Sequence, residues 1–168
     1  MSAERSRVAE KENPVRHVLV VEDDGSYRWV LRRLLESAFG NEISVEEAST
    51  GDRALERLHS RPLPDLVLLD LSLPGKSGFE VLERLRADEP SRRVPVIVVT
   101  SSQEESDVRR AYELGANSFV SKSDSPERTL QRLRLLPIYW LELNRLPEDD
   151  PGGSSSSSSR SSTSSARP

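Results

Sequence analysis

The sequence predicts an α/β fold: a five-stranded parallel sheet with helices on both faces. Three observations carry this. Leu66-Val67-Leu68-Leu69 and Val96-Ile97-Val98-Val99 are apolar runs without alternation, as strands read when both faces are buried. Strand-like runs alternate with stretches of helical spacing as βαβαβαβαβα, a pattern that right-handed crossovers convert into a parallel sheet. Several of these runs end in polar residues able to do chemistry, and the carboxyl ends of strands are where open α/β sheets bind ligands.

The chain has 168 residues, enough for one domain with a real core plus tails. Residues 1–13 are charged and small and are expected to form a disordered arm. Residues 14–146 are the expected folded domain. Residues 147–168 are Ser-rich and of low complexity, a flexible tail. A net charge of −4 leaves no basic footprint for nucleic acid. The absence of cysteine excludes disulfides, thiolate nucleophiles and zinc-thiolate sites. No apolar run has the length of a membrane span, and the first residues lack the apolar core of a secretory signal. A cytoplasmic location, with no membrane and no nucleic-acid partner, is expected.

In chain order, His17-Val18-Leu19-Val20-Val21 is the first strand and runs into Glu22-Asp23-Asp24. Trp29, Val30, Leu34, Leu35, Ala38 and Phe39 follow at helical spacing, and Gly40-Asn41 ends that helix. Ile43 to Ala48 alternates, as a more exposed strand does. Ser49-Thr50-Gly51-Asp52 opens a helix with Ala54, Leu55 and Leu58 on one face. The central strand follows and closes on Asp70, and Leu73-Pro74-Gly75 turns the chain. A third helix carries Phe79, Val81, Leu82 and Leu85 to about Ala87. Val96 to Thr100 is the fourth strand. Ser101 to Glu105 then reads as a cap with acidic residues in the first turn. That helix stops at Gly115, and Asn117 to Ser121 is the fifth strand, ending at Lys122. Ser125-Pro126 starts the last helix, which reaches about Leu146 with a kink or break expected at Pro137.

Parallel strands deliver their carboxyl ends to one edge. That edge then holds Glu22, Asp23 and Asp70, the hydroxyl of Thr100 and the ammonium of Lys122. Carboxylates this close raise one another's pKa, and a hard divalent cation removes the conflict. Mg²⁺ takes a few carboxylate or carbonyl oxygens and keeps several waters. Asp23, Asp70 and the backbone carbonyl of Ser72 are candidate ligands, with Glu22 acting through water. Asp70 is then a candidate carboxylate nucleophile, and Lys122 and Thr100 candidate binders of phosphoryl oxygens. Taken singly, each residue reads more plainly as a solvated turn, a strand-end hydroxyl or a surface lysine. Their convergence is what points to a site.

Val20-Val21-Glu22-Asp23-Asp24, Asp65-Leu66-Val67-Leu68-Leu69-Asp70, Leu73-Pro74-Gly75 with Gly78, Val98-Val99-Thr100-Ser101, Ala111-Tyr112-Glu113-Leu114-Gly115-Ala116 and Lys122 together resemble the CheY-like receiver domain of two-component response regulators. The resemblance covers about residues 15–146. It implies the flavodoxin-like sheet order 2-1-3-4-5, of which CheY is itself a standard example. It also implies that Asp70 accepts a phosphoryl group from a histidine kinase. Glu22 and Asp23 then hold Mg²⁺, and Thr100 and Lys122 contact the phosphoryl group. Phe119 matches the aromatic switch that moves with Thr100. Ser72 and Ser102 match the variable positions that tune phosphoryl lifetime. Ser123 departs from the family, which usually has Pro after the lysine; a looser loop into the last helix is implied.

No output domain is expected after the last helix, so a stand-alone regulator acting by protein contact or phosphorelay is implied, with no enzyme activity beyond its own phosphorylation and dephosphorylation. The segment Pro137 to Pro147 is similar to the ending of small regulators that partner phytochrome-type histidine kinases. Tyr139, Trp140, Leu141 and Leu143 cannot all face one core, so some are expected at an interface, with a homodimer through the last helix and its neighbours. Two other classes stand beside this reading. A hydrolase with an Asp nucleophile and Mg²⁺ usually wants a second Asp where this chain has Ser72. A phosphorylation-independent adaptor would keep only the fold. A Rossmann enzyme is disfavoured, since no G-x-G-x-x-G follows the first strand.

Overall fold

The computed structural model describes residues 14–122 and 126–145. The predicted arm 1–13, the tail 147–168, Ser123, the expected cap Ser125 and the expected helix end at Leu146 lie outside the described residues. The elements are β1 (Arg16–Val21), α1 (Gly25–Phe39), β2 (Ile43–Ala48), α2 (Gly51–Leu58), β3 (Leu66–Leu69), α3 (Gly78–Ala87), β4 (Val96–Thr100), α4 (Glu105–Glu113), β5 (Ser118–Ser121) and α5 (Pro126–Ile138). All strand pairs are parallel, and the order is β2-β1-β3-β4-β5. This is the flavodoxin-like arrangement that the resemblance implied.

The register is what positions the site. Val21 pairs with Leu69, so β1 and β3 end level. Asp70 N donates to Val21 O at 2.9 Å, carrying the pairing one residue past the strand. Glu22 and Asp70 thus leave the sheet side by side. On the other flank Thr100 pairs with Ser121, and Lys122 N donates to Thr100 O at 2.7 Å.

β3 and β4 are buried at every position. One face of the sheet packs Leu19, Val21, Val67, Leu69 and Val98 against Leu58 of α2, Val81, Leu82 and Leu85 of α3 and Ala111 of α4. The other packs Val18, Val20, Leu68, Ile97, Val99 and Val120 against Leu31 and Leu35 of α1 and Leu133 of α5. Truncating one such fully buried Leu to Ala costs about 2–5 kcal/mol.

Caps follow from sequence where short polar residues stand at helix starts. Asp24 accepts from Ser26 N and Tyr27 N at the head of α1, and Thr50 caps α2. Ser77 and Glu80 form a reciprocal capping box on α3.

Two local expectations gain detail. The cap expected within Ser101–Glu105 falls on Glu104, which makes no side-chain cap bond, and Glu105 and Asp107 are the acidic residues of the first turn. Ser102 instead accepts from Glu104 N at 3.2 Å and donates to Asp107 at 2.6 Å. It holds the helix start from outside because the β4–α4 loop runs two residues further before turning helical. The kink or break expected at Pro137 takes the form of a change of helix type: α5 ends at Ile138, one residue past the proline. Pro137 stays inside α5, and the chain widens into a π-turn at Tyr139–Leu143, closed by Asn144 N to Tyr139 O at 2.7 Å. A proline has no N–H for the carbonyl one turn back, and the change of helical pitch begins two residues past it.

Candidate functional site

The site lies at the carboxyl edge of the sheet. Glu22 and Asp70 are buried there, at 1% and 3% exposure, while Asp23 is exposed. Carboxylate oxygens of Glu22, Asp23 and Asp70 all lie within 4.8 Å of one another. Lys122 Nζ sits 2.7 Å from Glu22 Oε2 and 2.7 Å from Asp70 Oδ2. Three carboxylates against one ammonium leave two negative charges over. An all-oxygen donor set with that excess suits a hard divalent cation.

Electrostatics follow burial. The Glu22 carboxyl is pushed up to about 6, first by burial and then by Asp70, with Lys122 opposing. For Lys122, burial works to lower the ammonium's pKa, but the bonds to Asp70 and Glu22 outweigh it and the net shift is upward. Asp24, which faces solvent, is held below the usual carboxylate range by the N–H groups of Tyr27 and Ser26 that it caps.

The remaining predicted residues surround this cluster unequally. Thr100 is fully buried, and its Oγ1 accepts from Ser102 N at 3.4 Å. Ser72 is exposed beside the cluster, and its N–H donates to Asp70 Oδ1 at 3.1 Å. Ser102 is half-buried and engaged with Asp107. Phe119 on β5 is partly buried against the core on the α2–α3–α4 side of the sheet. Gly78 explains the second glycine of the Leu73-Pro74-Gly75 segment. A Cβ there would lie 2.1 Å from Asp70 O and 2.7 Å from Leu71 Cα, so only glycine lets α3 start this close to the Asp70 backbone.

Tyr139, Trp140 and Leu143 are not brought to the site. They follow α5 near the amino edge of the sheet, where Leu141 and Glu142 share a cavity with Arg16, Phe39 and Glu42. Tyr139 and Leu143 are exposed, at 48% and 70%, and Leu141 is buried. Trp140 turns inward instead, packs on the α1–α5 core and meets Tyr139 edge-on at 5.2 Å.

Two residues at the site escaped the sequence reading. Arg28 Nη1 donates to Glu22 O at 2.6 Å and Asp23 O at 3.1 Å, and its Nε to Glu47 at 3.3 Å. It grips the backbone that carries two of the carboxylates. Tyr27 lays its ring 4.4 Å from Lys122 Nζ. The only signals were an arginine one turn into α1 and an apolar ring at helical spacing, neither of which marks a site.

Comparison with known proteins agrees with this geometry. The family described as the response regulator receiver domain matches residues 18–134. The probable methanogenesis regulatory protein FilR2 of Methanothrix harundinacea is 38% identical over 145 residues, covering 83% of this chain and 92% of its own. The response regulator Rcp1 of Synechocystis sp. is 30% identical, covering 83% of this chain and 99% of its own. The structure of the phosphorylated cyanobacterial phytochrome response regulator RcpA superposes with a TM-score of 0.74 at 29% identity, covering 79% of this chain and 99% of that one. The Mn²⁺-bound form of Rcp1 gives 0.73 at 30%, with the same coverage. Among the described residues no helix is long and apolar enough to cross a membrane. The level ends of β1 and β3, the carboxylates they carry and these matches lead to one conclusion: the chain belongs to the response regulator receiver domain family.

Proposed function

We propose that the chain is a stand-alone response regulator of the cytoplasm. It accepts a phosphoryl group onto Asp70 from the phosphohistidine of a sensor histidine kinase, with Mg²⁺ in the acidic cluster, and signals by protein contact or phosphorelay. Residues 14–146 form the receiver, and residues 1–13 and 147–168 are appended segments. The observation that carries this is the Asp70 carboxylate, buried at a strand end, bonded to Lys122 and clustered with Glu22 and Asp23.

In the transfer, an Asp70 oxygen bonds to phosphorus as the phosphorus–nitrogen bond breaks, and the electron pair stays with the imidazole. The product is an aspartyl phosphate. Such transfers depend on positioning and charge compensation. Asp23, Asp70 and the Ser72 carbonyl would hold Mg²⁺ with Glu22 in support, and the ion would supply positive charge against the phosphoryl oxygens. Lys122, freed from its bond to one carboxylate oxygen, turns to a phosphoryl oxygen. The Thr100 hydroxyl donates to another, and Phe119 repacks as Thr100 moves. Ser72 and Ser102 border the approach of water and set the lifetime.

Likeness to the cyanobacterial phytochrome response regulator RcpA supports a phytochrome-type kinase as the partner. Leu135, Tyr139 and Leu143 recur at four-residue intervals and are all exposed, which supports a homodimer through the last helix and the π-turn.

The experiment is addition of Mg²⁺ and beryllofluoride, a mimic of the aspartyl phosphate, with tryptophan fluorescence, calorimetry and elution volume as readouts. Saturable binding that needs Mg²⁺ and disappears in Asp70→Asn is expected, with an elution shift if phosphorylation drives dimerisation. No calorimetric binding by the parent chain would replace this reading with that of a phosphorylation-independent adaptor.

A further inference from the structure

Lys122 is held on more sides than its two ion pairs. Its ammonium is 2.7 Å from Glu22 Oε2, 2.7 Å from Asp70 Oδ2 and 4.4 Å from the centroid of the Tyr27 ring. The side chain keeps only 14% exposure. An ammonium has three donors and no acceptor. Two are engaged by carboxylates, and the ring covers a further approach where water would otherwise compete.

The ring is itself fixed from several directions. Tyr27 lies in the first turn of α1, where its N–H donates to Asp24 Oδ1 at 3.0 Å. Its body packs on the α1–α5 core, and its hydroxyl end is buried beside Thr129 of α5. The following residue, Arg28, grips the Glu22 and Asp23 carbonyls. One turn of α1 therefore sets both the acidic loop and the aromatic face that meets the lysine. A cation on an aromatic face gains more as it loses water, and a seat built by a helix start is more rigid than one built by a loop.

We propose that Tyr27 is a positioning residue of the phosphoacceptor site: its ring seats the Lys122 ammonium beside Asp70, so that the charge is already in place when a phosphoryl group arrives. This rests on the phosphoacceptor reading and adds to it a contact between α1 and the end of β5. The ring acts through its face. The hydroxyl belongs to the contact with α5 and is dispensable for the lysine.

The test compares the parent chain with Tyr27→Phe and Tyr27→Leu, each first checked for folding by circular dichroism. The first readout is geometric and independent of phosphoryl chemistry. In the parent chain the Lys122 side-chain methylene protons are shifted upfield by the ring, the shift persists in Tyr27→Phe, and it is lost in Tyr27→Leu. The second is calorimetric binding of beryllofluoride with Mg²⁺. Tyr27→Leu is expected to weaken it about threefold to thirtyfold, the range of a partly to fully desolvated cation–π contact, and Tyr27→Phe to stay within about twofold.

Three outcomes overturn the proposal: equal affinity in Tyr27→Leu and the parent chain, equal losses in the Phe and Leu variants, or no ring shift at Lys122 in the parent chain. If Tyr27→Leu does not fold, the ring shift in the parent chain and the affinity of Tyr27→Phe still decide. Failure of the parent chain to bind beryllofluoride at all is a separate result. It removes the phosphoacceptor reading, and this proposal with it, whatever the ring shift.

Discussion

Lys122 Nζ and Glu22 Oε2 stand 2.7 Å apart although 100 positions separate the two residues. The pair joins the end of β5 to the end of β1 and encloses Asp70 between them. Its energetic weight lies in what its loss would leave behind. Removing one partner of a buried ion pair strands the other charge, at a cost of about 3–5 kcal/mol. Lys122→Ala is therefore expected to lower stability by about 3 kcal/mol in chelator, the smaller end because the lysine keeps some solvent contact. Excess Mg²⁺ should return part of that loss. Thermal melts with and without Mg²⁺ check it, and a melt unmoved by the substitution would show that the pair carries little weight.

Asp70→Asn should behave differently. Glu22 still faces Lys122, so no buried cation is left alone. We expect a stability change below about 1 kcal/mol together with complete loss of acid-labile phosphate after incubation with a small phosphodonor. Phosphate incorporated by this variant would move the acceptor to another residue.

Stability should depend on pH in two opposed ways. Glu22 in the folded chain titrates near 6, against about 4.5 when unfolded. Between those values the folded chain keeps a proton that the unfolded chain has lost. Stability therefore falls as pH rises through the window, by about 2 kcal/mol in the absence of metal. Glu46 and Glu47 act the other way. Hydrogen bonds from Arg57 and Arg32 hold them below the usual carboxylate range. Their contribution is present above the unfolded pKa and is lost as pH falls through the folded values. Melts in EDTA should show Glu22→Gln gaining on the parent chain from pH 4.5 to 6.5. A difference that does not change with pH would mean that Glu22 is not the titrating group.

Arg28→Met removes the grip on the Glu22 and Asp23 carbonyls. Divalent affinity is expected to drop about tenfold, equivalent to about 1.4 kcal/mol, because the carboxylates must then be ordered on binding. Calorimetry with Mn²⁺ or Mg²⁺ reads this directly, and parent-like affinity would demote Arg28 to a surface ion pair with Glu47.

Gly78→Ala places a methyl group 2.1 Å from the Asp70 carbonyl oxygen. Backbone cannot yield as a flexible side chain does, so a loss of about 3 kcal/mol is expected. Divalent affinity should fall with it as Asp70 is displaced. Gly40→Ala is the contrast. Its added methyl meets nothing within 4 Å, but φ 57° with ψ −126° lies outside the left-handed helical well, which costs an L residue about 1–3 kcal/mol. Its strain is local and far from Asp70, so divalent affinity falling equally in the two variants would refute the steric account.

The sequence by itself determined the strands, their parallel arrangement and the composition of the site edge. β3 and β4 were legible because a strand covered on both faces must be apolar at every position, and that leaves an unbroken run. Glu22, Asp70, Thr100 and Lys122 were legible because they directly follow or close such runs, and the topology brings strand ends together. The tertiary structure alone decided what those ends touch. Tyr27 meets Lys122 across the whole domain, and Arg28 and Ser102 spend their side chains on backbone groups or on a neighbouring helix. Trp140 turns into the core while Tyr139 and Leu143 stay out, and the chain past Pro137 continues as a π-turn. Periodicity records which face of an element is dry. Contacts between single side chains far apart in the chain have no period, and become visible only when the sheet register sets the elements side by side.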